Sequence, residues 1–189
     1  MRRPSLRIEV GKPVIDEARL QLFHTWQRDR VAVRGWESSH LSLQDYFMRF
    51  AFPTSVAREI AYYDDAADGR LVMLSICDET PQAWSAVFCF YDPAYAAISP
   101  GIANILTLVD LARAGGRSFV YLGYCVLECP SLRYKAAFHA QDLLVGLPAD
   151  DEVPRWQRLP RISIGAPARD PNDTMDSRPS PSSSDTLAR

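Results

Sequence analysis

Three short stretches carry residue types suited to holding an anion. Arg133-Tyr134-Lys135 sets two cations around a tyrosine shortly after the break Glu128-Cys129-Pro130. Ser99-Pro100-Gly101 stands before an apolar-periodic run, where Ser suits the helix cap and Pro the first helical position. Free amides and the positive end of the helix dipole are expected there, a ready place for an anion. Tyr121 and Tyr124 offer flat faces and hydroxyls on either side of Gly123, where a ligand or another backbone has room to come close. Asp92, before Pro93, is either a base or the residue that orients a strand end, and an Asp-Pro turn favours the structural role. The same residues also fit a plain capped helix and a core strand followed by a solvated turn.

The elements that must position these residues follow from pattern. Residues 1–13 read as irregular and basic. Asp16 is a plausible cap for a first helix running to about Arg30, and Arg34 to Ser39 is a loop. Ser42 with Asp45 resembles a capping box that opens a short helix through Phe50, which Pro53 ends. Glu59–Tyr63, Arg70–Cys77 and Trp84–Tyr91 are strands of an antiparallel meander joined by polar turns, and Asp92-Pro93 stops the sheet. Ile102 to Ala114 is a helix closed by Gly115-Gly116. Ser118 to Tyr124, rich in aromatic and branched residues, reads as a buried strand. From Gly146 onward Pro, Ser and polar residues dominate, giving a disordered tail over 146–189.

Bulk properties narrow the classes. The 189 residues suit one domain with a proper core and some extra length. A net charge of −2 argues against bulk electrostatic binding of nucleic acid, though not against contact with one RNA end through a local patch. No apolar run approaches the ~20 residues of a membrane span, and no apolar segment follows the basic start as in a secretory signal, so the expected location is cytoplasmic, with no membrane partner. Cys77 and Cys89 sit in strand-like apolar runs. Cys125 and Cys129 lack metal-site spacing, so no metal is expected. The histidines His24, His40 and His139 read as structural or surface residues. Lys12 and Lys135 are the only lysines in an arginine-dominated sequence, and Lys135 therefore stands out as a compact point charge.

The order Tyr121-Leu122-Gly123-Tyr124, Cys129-Pro130, Tyr134-Lys135 and Phe138 resembles the C-terminal domain of the arginyl/leucyl-tRNA–protein transferases. Upstream, Arg70-Leu71-Val72, Asp78, Ser85-Ala86-Val87, Tyr91-Asp92-Pro93, Ser99 and Gly101 keep the family's order and approximate spacing, so the likeness runs from about residue 13 to 144. It implies an α/β (α+β) acyltransferase-like fold of the GNAT type, which the strand–helix–strand unit after a meander fits, over a single domain at 1–145. It implies transfer of leucine or arginine from aminoacyl-tRNA to the N-terminal α-amine of acceptor proteins, with acidic N-termini expected. No cofactor is implied.

Such a transfer needs an ordered 3′ adenosine, a neutral amine near the ester carbonyl and a stabilised oxyanion. On this reading Ser99–Gly101 receives a terminal-nucleotide phosphate. Lys135 or Arg133 pairs with phosphate or with an acceptor carboxylate, and Tyr121, Tyr124 and Tyr134 offer stacking faces. No catalytic base is assigned. Where the family carries Met before the Tyr-Lys pair this sequence has Leu132, and Ala140 replaces a usual Pro. The family's Cys-rich N-terminal domain has no counterpart, so a separate Cys-rich domain or subunit is a possible partner. A non-catalytic module binding acidic N-termini or tRNA ends is the alternative. An acyl-CoA enzyme fits less well, because the turn at Ile98–Gly101 lacks the glycines that wrap a pyrophosphate.

Overall fold

The structure, a computed structural model, describes residues 6–129 and 131–159. These fall into two compact units, one ending at Lys135 and one beginning at Ala136.

The first unit is a five-stranded sheet in the order β1-β2-β3-β4-β5. β1 (Leu6–Gly11) lies in the stretch expected to be irregular; its alternation of Leu6, Ile8 and Val10 with Arg7 and Glu9 is the period of an edge strand, and it pairs antiparallel to β2 (Ala57–Asp64). β3 (Arg70–Glu79) and β4 (Ala83–Tyr91) complete the antiparallel meander. The register of β3 and β4 slips at Val87, because Cys77 faces Ala86 while Ile76 faces Phe88. A residue inserted in this way bends a strand and increases its twist.

Two helices grip the sheet from opposite sides. α1 (Glu17–Arg34) begins where the Asp16 carboxylate accepts the Arg19 N–H at 2.8 Å and ends at Gly35, whose φ of 64° is the left-handed geometry that favours glycine. The Ser42–Asp45 box forms in both directions and starts α2 (Leu43–Tyr46), which runs on as a π turn through Ala51. Leu20, Phe23 and Trp26 of α1 pack with Tyr46 and Phe50 against Ala61, Leu74 and Phe90. On the other face, Leu108 and Ala112 of α3 (Pro100–Ala114) pack against Ile60, Tyr62, Met73 and Trp84. Successive residues such as Ile60 and Ala61 therefore serve opposite cores, as the two-residue period requires. The buried Glu59 carboxylate accepts two bonds from Arg19 Nε, at 2.9 and 3.0 Å, and so ties α1 to β2.

After α3 the chain returns as β5, parallel to β4, with Ala83 opposite Phe119 and Ser85 opposite Tyr121. The buried strand expected over Ser118–Tyr124 is shorter and more open than its composition suggests. β5 is Phe119–Tyr121, its side chains are exposed or half-buried, and Gly123 turns away at φ 71°. Beyond Ser85 the outer edge of β4 has no neighbouring strand among the described residues.

In the second unit, β6 (Asp142–Leu144) and β7 (Trp156–Arg158) form an antiparallel ladder closed by an Arg158–Asp142 ion pair at 2.8 Å. The change of composition at Gly146 therefore does not mark where regular structure stops, nor where the two units part. Residues 160–189 of the expected tail lie outside the described residues. No helix among the described residues is long and apolar enough to cross a membrane.

Candidate functional site

Because β5 leaves β4 after Tyr121, a cleft of about 460 Å³ opens along the free edge of β4. One wall is α1, where Trp26, Arg30 and Arg34, four residues apart, rise on a single stripe of the helix. The opposite wall is the start of α3, from Ser99 to Ile105. The β4 edge around the slip at Val87 forms the floor, and Leu122 with the segment Ser131–Lys135 closes the side.

Four of the residues singled out in the sequence meet here: Ser99, Gly101, Tyr134 and Lys135. Ser99 does not cap α3 with its hydroxyl. It sits at φ 54°, in the left-handed region, and its carbonyl accepts the N–H groups of Ile102 and Ala103 at 2.9 and 3.1 Å. The strained corner comes from Pro93–Ile98, a tight 3₁₀ segment that runs straight into the helix. Two first-turn amides are thus already engaged, and the Gly101 amide remains. Tyr134 lies against the same glycine, its hydroxyl 2.8 Å from where a Cβ on Gly101 would stand. Burial, with Cys89 and Tyr91 near by, pushes the Tyr134 hydroxyl up to about 12, so at neutral pH it holds its proton.

Lys135 is not a free-standing charge. Its Nζ donates to the Leu122 carbonyl at 2.6 Å, beside Gly123, and burial pulls its pKa below the ordinary lysine value. The ammonium thereby fixes the turn that takes the chain off β5.

The other candidates lie away from the cleft lining. Asp92 caps the 3₁₀ segment through the Ala94 N–H at 2.9 Å and accepts from Arg70 at 2.8 Å, a turn-building role. Tyr121 stacks on Phe119 at the sheet edge, with ring centroids 6.3 Å apart. Tyr124 is 82% exposed, and Arg133 is half-buried; neither faces the cleft.

The cleft also holds residues that pattern did not single out. Arg30 donates to the Tyr91 hydroxyl at 2.9 Å and lies over the Trp26 and Tyr91 rings. Arg34 and Trp36 stand at the end of α1, and Asn104 reaches Tyr62 at 3.2 Å. The four-residue spacing of Trp26, Arg30 and Arg34 was visible as one helix stripe, but which structure it faces is set by tertiary packing. Arg30, Arg34 and Lys135 give the lining three cations, and no Asp or Glu lines it. Arg30 is paired with Asp29 at 3.1 Å, so it falls to Arg34 and Lys135 to make the cleft suited to an anionic ligand.

Thiol chemistry finds no support here. Burial pushes both Cys77 and Cys89 up to about 12, so neither is a thiolate at neutral pH. Among the described residues no cluster of three or more His, Cys, Asp or Glu is placed to hold a metal.

Comparison with known proteins adds the following. Residues 18–145, which contain every residue of the cleft lining, match the family model described as arginine-tRNA-protein transferase, C terminus. A protein of Chromobacterium violaceum named aspartate/glutamate leucyltransferase is 32% identical over 145 residues, covering 77% of this chain and 55% of its own. A protein of the same name from Campylobacter jejuni is 28% identical, covering 74% and 58%. The chain therefore spans little more than half the length of these relatives. Among solved structures, the ribosomal-protein-S18-alanine N-acetyltransferase of Escherichia coli aligns over 72% of this chain and 79% of its own, at 9% identity and a TM-score of 0.49.

Proposed function

The chain belongs to the arginine-tRNA-protein transferase family, whose C-terminal domain it matches, and from that membership we propose that it moves the aminoacyl group of an aminoacyl-tRNA to the N-terminal α-amine of an acceptor protein. Leucine is the proposed donor and Asp or Glu the proposed first acceptor residue, after the name the relatives carry. One observation supports the reading most: a cleft within the matched span that is rich in cations, free of lining carboxylates and closed by Tyr134 over the start of α3.

The chemistry asks little of covalent catalysis, because the aminoacyl ester is already activated. The amine lone pair attacks the ester carbonyl, the carbon–oxygen bond to the ribose breaks, and the ribose hydroxyl leaves with a proton. An amide forms from the nitrogen that lost one. On this reading Tyr134, protonated at neutral pH, donates to the oxyanion or to the departing oxygen. The dipole of α3, whose first turn Tyr134 touches at Gly101, favours negative charge near that turn. With no carboxylate in the lining, the amine's proton passes to the leaving oxygen directly or through water. The rest of the acceleration comes from holding amine and ester together.

The lack of any Asp or Glu in the cleft lining, and so of an evident proton acceptor, favours one second reading: a module that binds tRNA ends or acidic N-termini and does not transfer by itself. The test is transfer of radiolabelled leucine or arginine from charged tRNA to peptides beginning with Asp, Glu or Ala, with and without the N-terminal part of a full-length relative. Leucine on the acidic peptides is the expected result. Transfer of neither amino acid under either condition, with tRNA or peptide still bound, leaves the binding module.

A further inference from the structure

The C-terminal end of α1 carries a pair of residues that the reaction chemistry above does not use. Gly35, left-handed at φ 64°, turns the chain sharply, and Arg34 and Trp36 on either side of it both line the cleft. Trp36 is 45% exposed although it is a large apolar residue. It is nonetheless held in place, edge to face on the largely buried Trp26, with centroids 5.6 Å apart and planes at 81°. A flat indole is thus offered to solvent at a cleft wall on a rigid backing. Arg34 is exposed, and no carboxylate pairs with it among the described residues. A cation in the last turn suits the helix dipole, but the dipole gives no reason for an exposed indole beside it.

Together the two groups match the parts of one unpaired nucleotide: a π-face for the base and a cation for the phosphate. An acidic peptide residue would use the cation and leave the indole idle. We propose that Trp36 and Arg34 form the RNA-binding lip of the cleft, Trp36 stacking an unpaired base of the tRNA 3′ tail and Arg34 pairing with an adjacent phosphate. This rests on the transfer reading above, and it leaves the inner part of the cleft, around Gly101, Tyr134 and Lys135, to the ester and the amine.

The experiment titrates the full 189-residue chain with uncharged tRNA, and with the same tRNA stripped of its unpaired 3′ nucleotides, for the wild type, Trp36→Ala, Trp36→Phe, Arg34→Ala and Arg34→Glu. Trp36→Ala should weaken binding of intact tRNA roughly five- to hundred-fold, the range of one lost base stack, and Trp36→Phe should keep most of the affinity. Arg34→Ala should lower the steepness of the salt dependence by about 0.7, one phosphate on a single strand. Neither substitution should alter binding of the stripped tRNA. Should Trp36→Ala fail to fold in a thermal melt, the exposed Arg34→Glu carries the same test, and it should weaken intact tRNA alone. Unchanged affinity for intact tRNA in these variants overturns the proposal while the transfer reading stands. A raised KM for acidic peptides with unchanged tRNA binding does the same and assigns the pair to the acceptor. A wild-type chain that neither binds tRNA nor transfers from it removes the transfer reading itself.

Discussion

Tyr134 sits on Gly101 so closely that a methyl group at that glycine would lie 2.8 Å from its hydroxyl and 3.0 Å from Cζ. The contact joins the 3₁₀ segment Arg133–Ala137 to the first turn of α3 across the cleft. Gly101 is therefore required for approach, not for backbone freedom, since its φ is not positive.

A double-mutant cycle measures that contact. Gly101→Ala in the wild type must displace the tyrosine, and overpacking of this kind costs about 1–3 kcal/mol, offset in part by alanine's better helix propensity. In a Tyr134→Ala background only the propensity gain remains. The coupling read from urea denaturation of the four proteins should be unfavourable by about 1 kcal/mol or more. A coupling near zero means that the two elements do not touch in solution.

The buried hydroxyl makes a pH prediction. Its pKa rises from the ordinary tyrosine value of 10.0 to about 12 in the fold, so the folded chain keeps a proton that the unfolded chain loses. The stability this contributes is whole below pH 10 and is lost as pH rises through 12. Tyr134→Phe has no proton to lose, so the melting temperature of the wild type should fall more steeply than that of the mutant above pH 10. Tyr62 remains in both proteins and cancels in the comparison. Parallel curves would place the hydroxyl in water.

What the sequence could disclose was whatever local chemistry decides. The Asp16 cap, the Ser42–Asp45 box and the start of α3 at Pro100 each depend on residues within a few positions, and each stands where pattern placed it. Ser99 shows the limit: its type suits a side-chain cap, but the 3₁₀ segment before it forces a left-handed corner and the hydroxyl caps nothing. The alternation of Leu6, Ile8 and Val10 lies in the sequence as well, within a stretch that otherwise reads as irregular and basic. The early end of β5 was not legible, because how far Ser118–Tyr124 pairs is decided together with β4, and register is a property of the partner strand. For the same reason Tyr134, Gly101 and Lys135 were individually visible, whereas their shared cleft with Arg30, Arg34 and Trp36 appears only once the two helices are placed on opposite faces of the sheet.

Asp92 separates a structural from a chemical carboxylate. It caps the 3₁₀ segment through Ala94 and pairs with Arg70, and it does not line the cleft. Asp92→Ala should cost roughly 0.5–2 kcal/mol, the range for a lost cap, with little from the largely exposed Arg70 pair. In the leucine-transfer assay, at a temperature where the mutant is folded, the rate should match the wild type. A large loss of kcat in a folded Asp92→Ala protein would reinstate it as the proton acceptor.

Lys135 has two tasks that substitutions can separate. Its bond to the Leu122 carbonyl secures the turn at Gly123, and its charge is one of the cations of the lining, next to Tyr134. Lys135→Met keeps the stem and removes both the bond and the charge. Lys135→Arg keeps the charge, but its planar fork is broader than an ammonium and suits a bidentate partner, so the bond to a single carbonyl is compromised. If the charge acts on a substrate anion, Lys135→Met should lower transfer roughly ten- to hundred-fold, the equivalent of a charge-assisted hydrogen bond of about 1.5–3 kcal/mol, and Lys135→Arg should recover part of it. If the lysine serves only as a strap, both variants should lose thermal stability together and transfer alike once corrected for folded fraction. The split of kinetic constants identifies the anion: a raised KM for Asp and Glu peptides alone marks the acceptor side chain, and a lowered kcat with all peptides marks the ester and its leaving oxygen. Full activity in a folded Lys135→Met protein removes the lysine from the site.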